Sequence, residues 1–368
     1  MSAVDLLTLS SHEMAGFIHQ LDWPRYRASQ VLRWLYQHRV TAIGAMTDLS
    51  KSDRARLAAR ATISRLEQAD IQTAPDGTQK FLFSLVDGRS IESVVIPDED
   101  RLTLCLSTQV GCTLDCAFCL TGRMGLLRNL MPHEITGQAL AVQRSVEPER
   151  PLTNLVLMGM GEPLANLDAV EEALRRLTNT AWGMGFSPRR ITLSTAGLAS
   201  RIKRVAEMGV NLAVSLNATT NAQRDRLMPA ANHAYSLETV LHACRTYPLK
   251  PRRRLTFEYV LLQGENDSER DAIRLAHLVR GIRCKINLIP FNEFPNSPFR
   301  RPSDAAVLRF QRVLTARGLD AFIRKSKGRE ILGACGQLST PSEPAPLLVP
   351  RSSRSRKQAS LQSAPGVS

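Results

Sequence analysis

The chain has 368 residues, of which 48 are Lys or Arg and 34 are Asp or Glu, giving a formal charge of +14 and a pI near 10.0. That length supports a large core and more than one domain, and the apolar runs, such as "NLVLMGM" and "INLIPF", fall far short of the ~20 residues a membrane-spanning helix needs. The basic balance fits either a solubilising surface or an anionic partner, most often nucleic acid.

The opening "MSAVDLLTLSSHEM" carries acids and no basic leader pattern, which predicts a cytoplasmic protein. In a reducing compartment, seven cysteines read as ligands, catalysts or core residues rather than disulfides. Residues 1–75 read as a small helical domain, either RNA-contacting or purely packing. In "ASQVLRWLYQHRV", Val31, Leu32, Leu35 and Tyr36 share a helical face, and "DLSKSDRARLAARATI" reads as a further helix. Residues 76–100 read as a β connector, with "KFLFSLV" and "SIESVVI" flanking a "DGR" turn.

Residues 101–338 alternate strand-like runs with helical ones. The runs are "LTLCLST", "NLVLMGM", "RRITLST", "VNLAVSL", "LTFEYVLL" and "KINLIPF". Between them, Ile135, Ala139 and Val142 share a helix face. So do Leu275, Leu278 and Val279, ahead of a stop at Gly281, and so do Val307, Phe310 and Leu314, between a Ser303 cap and Gly318. Six strands alternating with helices predict an α/β fold with a parallel sheet, open or partly closed into a barrel. Both architectures place function at the carboxyl ends of the strands. Residues 339–368, rich in Ser, Pro and Ala with scattered basic residues, read as a disordered basic tail.

The stretch "VGCTLDCAFCLTG" places Cys112, Cys116 and Cys119 directly after the first of these strands. Structural zinc wants four closing ligands, and a fourth would have to come from Cys105 or His133. A 4Fe-4S cube takes one thiolate per iron, so three on one loop leave an iron open to chelate a substrate or cofactor. Phe118 would shield one side of the cube.

The Cys-x3-Cys-x2-Cys spacing, with an aromatic before the third cysteine, resembles the radical S-adenosylmethionine (SAM) superfamily. Together, "RLTLCLSTQVGCTLDCAFC", "NLVLMGMGEPLANLDAV", "RRITLSTAGL", "KINLIPFN" and "ACGQL" resemble the RlmN/Cfr family of adenine-methylating radical SAM enzymes, closest to its RlmN branch, from about residue 20 to 338.

The resemblance implies a partial (βα)6 TIM-like barrel with a small N-terminal helical domain. It implies one 4Fe-4S cluster on Cys112, Cys116 and Cys119, and SAM contacts at Gly161, Glu162, Ser194, Ser215, Leu216, Asn217 and Asn292. Asn217 stands where members of the family are associated with histidine, and an amide can hydrogen-bond but carries no charge. By the same resemblance, Cys335 takes a methyl group from one SAM, and a radical formed from a second removes hydrogen from it. The methylene adds to carbon 2 of an adenine, and Cys105 releases the RNA through a transient disulfide. Glu92 matches a proposed proton acceptor. Cys244 and Cys284 read as core cysteines.

The implied partners are 23S ribosomal RNA, transfer RNA and an electron donor of the flavodoxin type, with no membrane. Phosphate contacts are expected at "PRRR" (251–254), at "RKSKGR" (324–329) and on the N-terminal helices, and Arg324, Lys325, Lys327 and Arg329 also precede Cys335 closely enough to favour its thiolate. The alternatives are a carbon-8 methyltransferase of the same family, a radical SAM activase acting on protein, and a zinc-bearing RNA-binding module.

Overall fold

The computed structural model describes residues 3–146 and 150–340. The N-terminal unit forms because its apolar residues fall at helical spacing between well-capped ends. Helix Ser11–His19 opens on a reciprocal cap between Ser10 and Glu13. Helix Tyr26–Tyr36 turns Val31, Leu32, Leu35 and Tyr36 inward, and Ser50 caps Lys51–Ala58. These faces share one core with Met14, Phe17 and Ile18, and Leu140 of helix Pro132–Ser145 joins it from the main domain.

The helical reading to residue 75 overshoots. Glu67–Thr73 is a strand, antiparallel to Gln79–Ser84, and it begins the main sheet. Its sequence, EQADIQT, is polar and almost wholly exposed, because an edge strand needs little apolar surface. Ser90–Asp98 pairs antiparallel with Gln79–Ser84 and with Arg101–Cys105, so the connector strands extend the main sheet.

From Arg101–Cys105 onward every pairing within this sheet is parallel, through Asn154–Leu157, Ile191–Thr195, Asn211–Ser215, Leu255–Leu261, Cys284–Pro290 and Ala321–Ile323. The parallel strands number seven where six were expected. The addition, Ala321–Ile323, is three residues long and gives too little periodicity to read. All ten strands of the sheet lie in chain order, and Glu67–Thr73 and Ala321–Ile323 are its two outer strands, unpaired with each other. The barrel is therefore partial. Ser303 caps helix Asp304–Thr315 as expected, Ser268 caps helix Glu269–Leu278, and Gly281 and Gly318 follow these helices with positive φ. Cys244 and Cys284 are buried. No helix among the described residues is long and apolar enough to cross a membrane. The expected tail from residue 339 lies, from 341 on, outside the described residues.

Candidate active site

A buried polar network sets the floor of the site. Ser107 Oγ donates to the Glu92 carbonyl at 2.5 Å and accepts from Met160 N–H at 2.9 Å. The Gln138 amide brackets Ser107, accepting from its N–H at 2.8 Å and donating to its carbonyl at 2.9 Å. These bonds tie the ends of the first two parallel strands to helix Pro132–Ser145 before the chain reaches the cysteines.

The cysteine loop then leaves a small hairpin, Gln109–Gly111 against Leu126–Asn129. Cys119 N–H donates to the Cys116 carbonyl at 3.0 Å, and Ala117 N–H to the Leu227 carbonyl at 3.0 Å. Cys112, Cys116 and Cys119 line one cavity of about 170 Å³. Burial pushes their thiols up, that of Cys112 to about 12. Phe118 is buried among Phe291, Phe294 and Leu114, beside the three cysteines.

The same cavity receives Gly161, Glu162, Ser194, Ser215, Asn217 and Asn292. Leu216 is different. Its side chain is buried in the main hydrophobic core and does not line the cavity, so only its backbone is available to a ligand there. Gly161 is required by space and by conformation: φ is +102°, and a Cβ would lie 2.5 Å from the Gln109 side chain. Gly161→Ala should cost about 1–3 kcal/mol from strained backbone alone, read as a fall in Tm of the metal-free protein.

Glu162 is buried, and backbone N–H groups of Leu164 (2.9 Å) and Ala196 (2.8 Å) hold its two oxygens. Burial pushes its carboxyl up to about 7 against these bonds. Asn217 has a left-handed backbone, φ 54°, which asparagine tolerates well. Its Oδ1 accepts from Val260 N–H at 2.8 Å, and its Nδ2 lies 3.4 Å from Met228 Sδ. The amide thus braces the strand-end loop, a task that needs no ionisable group.

A second, larger cavity of about 590 Å³ continues from the first toward the amino ends of the strands. The two share Met158, Glu258, Ile289, Asn292, Arg324 and Cys335 as a common waist, and Cys105 faces the larger one. Asn292 Nδ2 donates to the Cys335 carbonyl at 3.1 Å. The Cys335 loop is also docked on the cysteine loop. Leu120 N–H donates to the Gly336 carbonyl at 2.8 Å, and Thr121 Oγ1 to the Leu338 carbonyl at 2.6 Å. Cys105 and Cys335 are both free thiols, and burial pushes Cys105 up to about 12, with Cys335 adding to the effect.

Glu92 lines neither cavity. It is 2% exposed, pairs with Lys80 at 3.0 Å and accepts from Ser339 N–H at 2.8 Å, gripping the segment just after the Cys335 loop. Burial raises its carboxyl, opposed by Lys80.

Sequence reasoning missed Glu258, and of its two readings of Arg324 only one fits. Glu258 sits on a central strand, 4% exposed, with Asn287 donating to Oε1 at 3.0 Å and Oε2 without a partner in the chain. Arg324, expected both as a phosphate contact and as a cation close to Cys335, is turned into the waist, where the Cys335 sulfur is the largest influence keeping its guanidinium charged. Of the "PRRR" run, Arg253 is occupied with Asn211 and the Gly209 carbonyl, and Arg254 pairs with Asp320. Lys325 and Lys327 of the expected "RKSKGR" run line the larger cavity, joined by Arg101, Arg189, Arg190 and Lys285.

The chain as a whole is similar to known proteins. The family model described as the radical SAM superfamily matches residues 106–276, which sets the class. A second, described as the ribosomal RNA large subunit methyltransferase N-terminal domain, matches residues 4–63. A protein of Desulfosudis oleivorans named dual-specificity RNA methyltransferase RlmN is 51% identical over 339 residues, covering 91% of this chain and 90% of its own. One of Geobacter sulfurreducens with the same name is 50% identical over 336 residues, covering 91% and 92%. The crystal structure of a radical SAM methyltransferase from Sphaerobacter thermophilus has a TM-score of 0.86 at 44% identity, covering 91% of this chain and 99% of that one. The chain belongs to the RlmN family of radical SAM methyltransferases.

Proposed function

We propose that this protein methylates carbon 2 of a specific adenosine in 23S ribosomal RNA and in transfer RNA, with SAM and a single 4Fe-4S cluster as cofactors and a flavodoxin-type protein as electron donor. The observation that carries this reading is a pair of free cysteines: Cys335 at the waist reaches the cavity of the cysteine loop, and Cys105 lines the larger cavity with it. The donor set supports an iron–sulfur cluster, with three thiols on one short loop and no trio of His, Cys, Asp or Glu among the described residues converging on a single ion. When bound, the cluster and SAM supply an electron, a methyl group and a 5′-deoxyadenosyl radical.

The chain's own residues do the rest. Gly161 allows close backbone approach, and Glu162 presents its remaining lone pairs to the ammonium of SAM. Ser194, Ser215 and Asn292 offer polar contacts from three strand ends. Phe118, Met228 and Phe291 exclude water from the cavity. The Cys335 sulfur accepts a methyl group, with Arg324 as the counter-ion available to its thiolate. That carbon, after losing a hydrogen atom, bonds to carbon 2 and joins enzyme to RNA; the adduct would return one electron to the cluster and lose the carbon-2 proton to a base. Cys105, as a thiolate, then attacks the Cys335 sulfur; the carbon–sulfur bond breaks, its electron pair passes to the former methylene carbon, which takes up a proton, and a transient disulfide remains as product leaves. Glu92 serves as proton acceptor once its grip on Ser339 is released. The target base is extruded from its stack into the larger cavity, whose Arg and Lys residues contact phosphates.

The deciding experiment is anaerobic reconstitution with iron, sulfide, SAM, a reductant and RNA fragments, followed by mass spectrometry of the nucleosides. The expected product is 2-methyladenosine. 8-Methyladenosine in its place would move the protein to the carbon-8 activity, and unmodified RNA beside intact cluster and SAM would overturn the reading.

A further inference from the structure

Two arginines are fully enclosed by the protein, and their surroundings differ. Arg176, 2% exposed, is satisfied by Glu172 Oε1 (2.9 Å), the Leu7 and Leu9 carbonyls (2.7 and 3.2 Å) and Tyr36 Oη (3.3 Å). Arg224 is 0% exposed and makes one side-chain hydrogen bond, from Nη2 to the Ala196 carbonyl at 2.5 Å. Its Nε and Nη1 have no acceptor, and no carboxylate among the described residues pairs with it. An enclosed cation without a counter-charge costs several kcal/mol, so its retention calls for an anion supplied from outside the chain.

The surroundings indicate where that anion sits. Arg224 lies on helix Asn221–Leu227, whose last residue takes the Ala117 N–H of the cysteine loop. Cys116 is the sulfur with the largest electrostatic influence on it. Ala196 connects it to the opposite wall of the cavity, because the N–H of that residue holds Glu162. Arg224 lines neither cavity, so it approaches the cysteines from the protein side and is not placed to touch SAM or RNA.

We propose that Arg224 is the built-in counter-charge of the iron–sulfur cluster, its free Nε–H and Nη1–H donating to the Cys116 corner and raising the cluster's reduction potential. The proposal rests on the cluster reading above. A fixed positive charge and N–H donors beside a cluster stabilise its reduced, more negative form. The same arginine makes the empty protein less stable than it would be without it, so cluster uptake and relief of this buried charge are linked.

Two variants of the full chain test this: Arg224→Met, which keeps bulk and removes charge, and Arg224→Lys, which keeps charge. The reduction potential is followed by electron paramagnetic resonance in an anaerobic redox titration, and Tm is measured with and without cluster. Arg224→Met should weaken reduction at least about tenfold, about 59 mV for one electron. Its cluster-free form should melt no lower than the cluster-free wild type, while its gain in Tm on cluster binding shrinks. Arg224→Lys should keep most of the wild-type potential.

An unchanged potential in Arg224→Met would overturn the proposal. So would equal destabilisation of its empty and loaded forms, failure of the empty variant to fold, or a shift in Arg224→Lys as large as that in Arg224→Met. Wild-type protein that takes up no iron would instead sink the cluster itself, and the proposal with it.

Discussion

Cys335→Ala protein, reconstituted with cluster and SAM, should produce no methylated RNA, a loss on the order of 10⁴- to 10⁶-fold, as expected when a nucleophile that carries the reacting group is removed. The loss should come in the first half-reaction. Before any RNA is added, the wild-type peptide containing Cys335 gains one methyl group by mass spectrometry and the variant peptide gains none. SAM binding should survive, because Cys335 meets the rest of the site through backbone atoms. Asn292 holds its carbonyl, and Leu120 holds the carbonyl of Gly336 next to it. Persistent RNA methylation in this variant would move the carrier role to another residue and remove the basis of the proposed chemistry.

The second large effect belongs to Cys105→Ala. Attachment of RNA to Cys335 does not use Cys105, but release does. The variant should therefore accumulate a covalent complex, approaching one RNA per enzyme, seen as a nuclease-sensitive band of reduced mobility on a denaturing gel. Multiple turnover should fall to the level of that single event. In the wild type, burial pushes the Cys105 thiol up to about 12, so near neutrality it is protonated and must lose its proton before attacking. Release should therefore accelerate as pH rises below that value, approaching tenfold per unit where proton removal limits it, while methylation of Cys335 does not share this dependence on Cys105. Free turnover by Cys105→Ala, with no trapped RNA, would rule out the two-cysteine scheme.

Much of this site is legible in the sequence because its chemistry is local. Three thiols on one loop, a glycine before Glu162 and polar residues at strand ends follow directly from short motifs. The Ser303 helix cap was legible for the same reason, since a cap acts within three residues. What escaped depends on contacts between distant segments. Arg224 lies in NAQRDRL, which looks like a solvated helix face, and only the fold encloses it. Glu258 is one charge in an apolar strand, and its inward direction is set by pairing with neighbours on both sides. Arg324 sits in a basic run close to Cys335 in sequence, but only strand Ala321–Ile323 singles it out from its neighbours and directs it to the waist. Leu216 shows the opposite limit: a motif position can be right about the loop while the side chain belongs to the core.

Each of the ten strands is hydrogen-bonded only to those next to it in the chain. The sheet can therefore be laid down in the order of synthesis, with no strand waiting for a distant partner. Cys105 joins the growing wall early, while Cys335 leaves the ribosome only after the final strand, bound for its seat on Leu120 and Thr121. In the proposed chemistry, adding the carrier thiol last keeps the two cysteines apart until the walls that govern their meeting are complete.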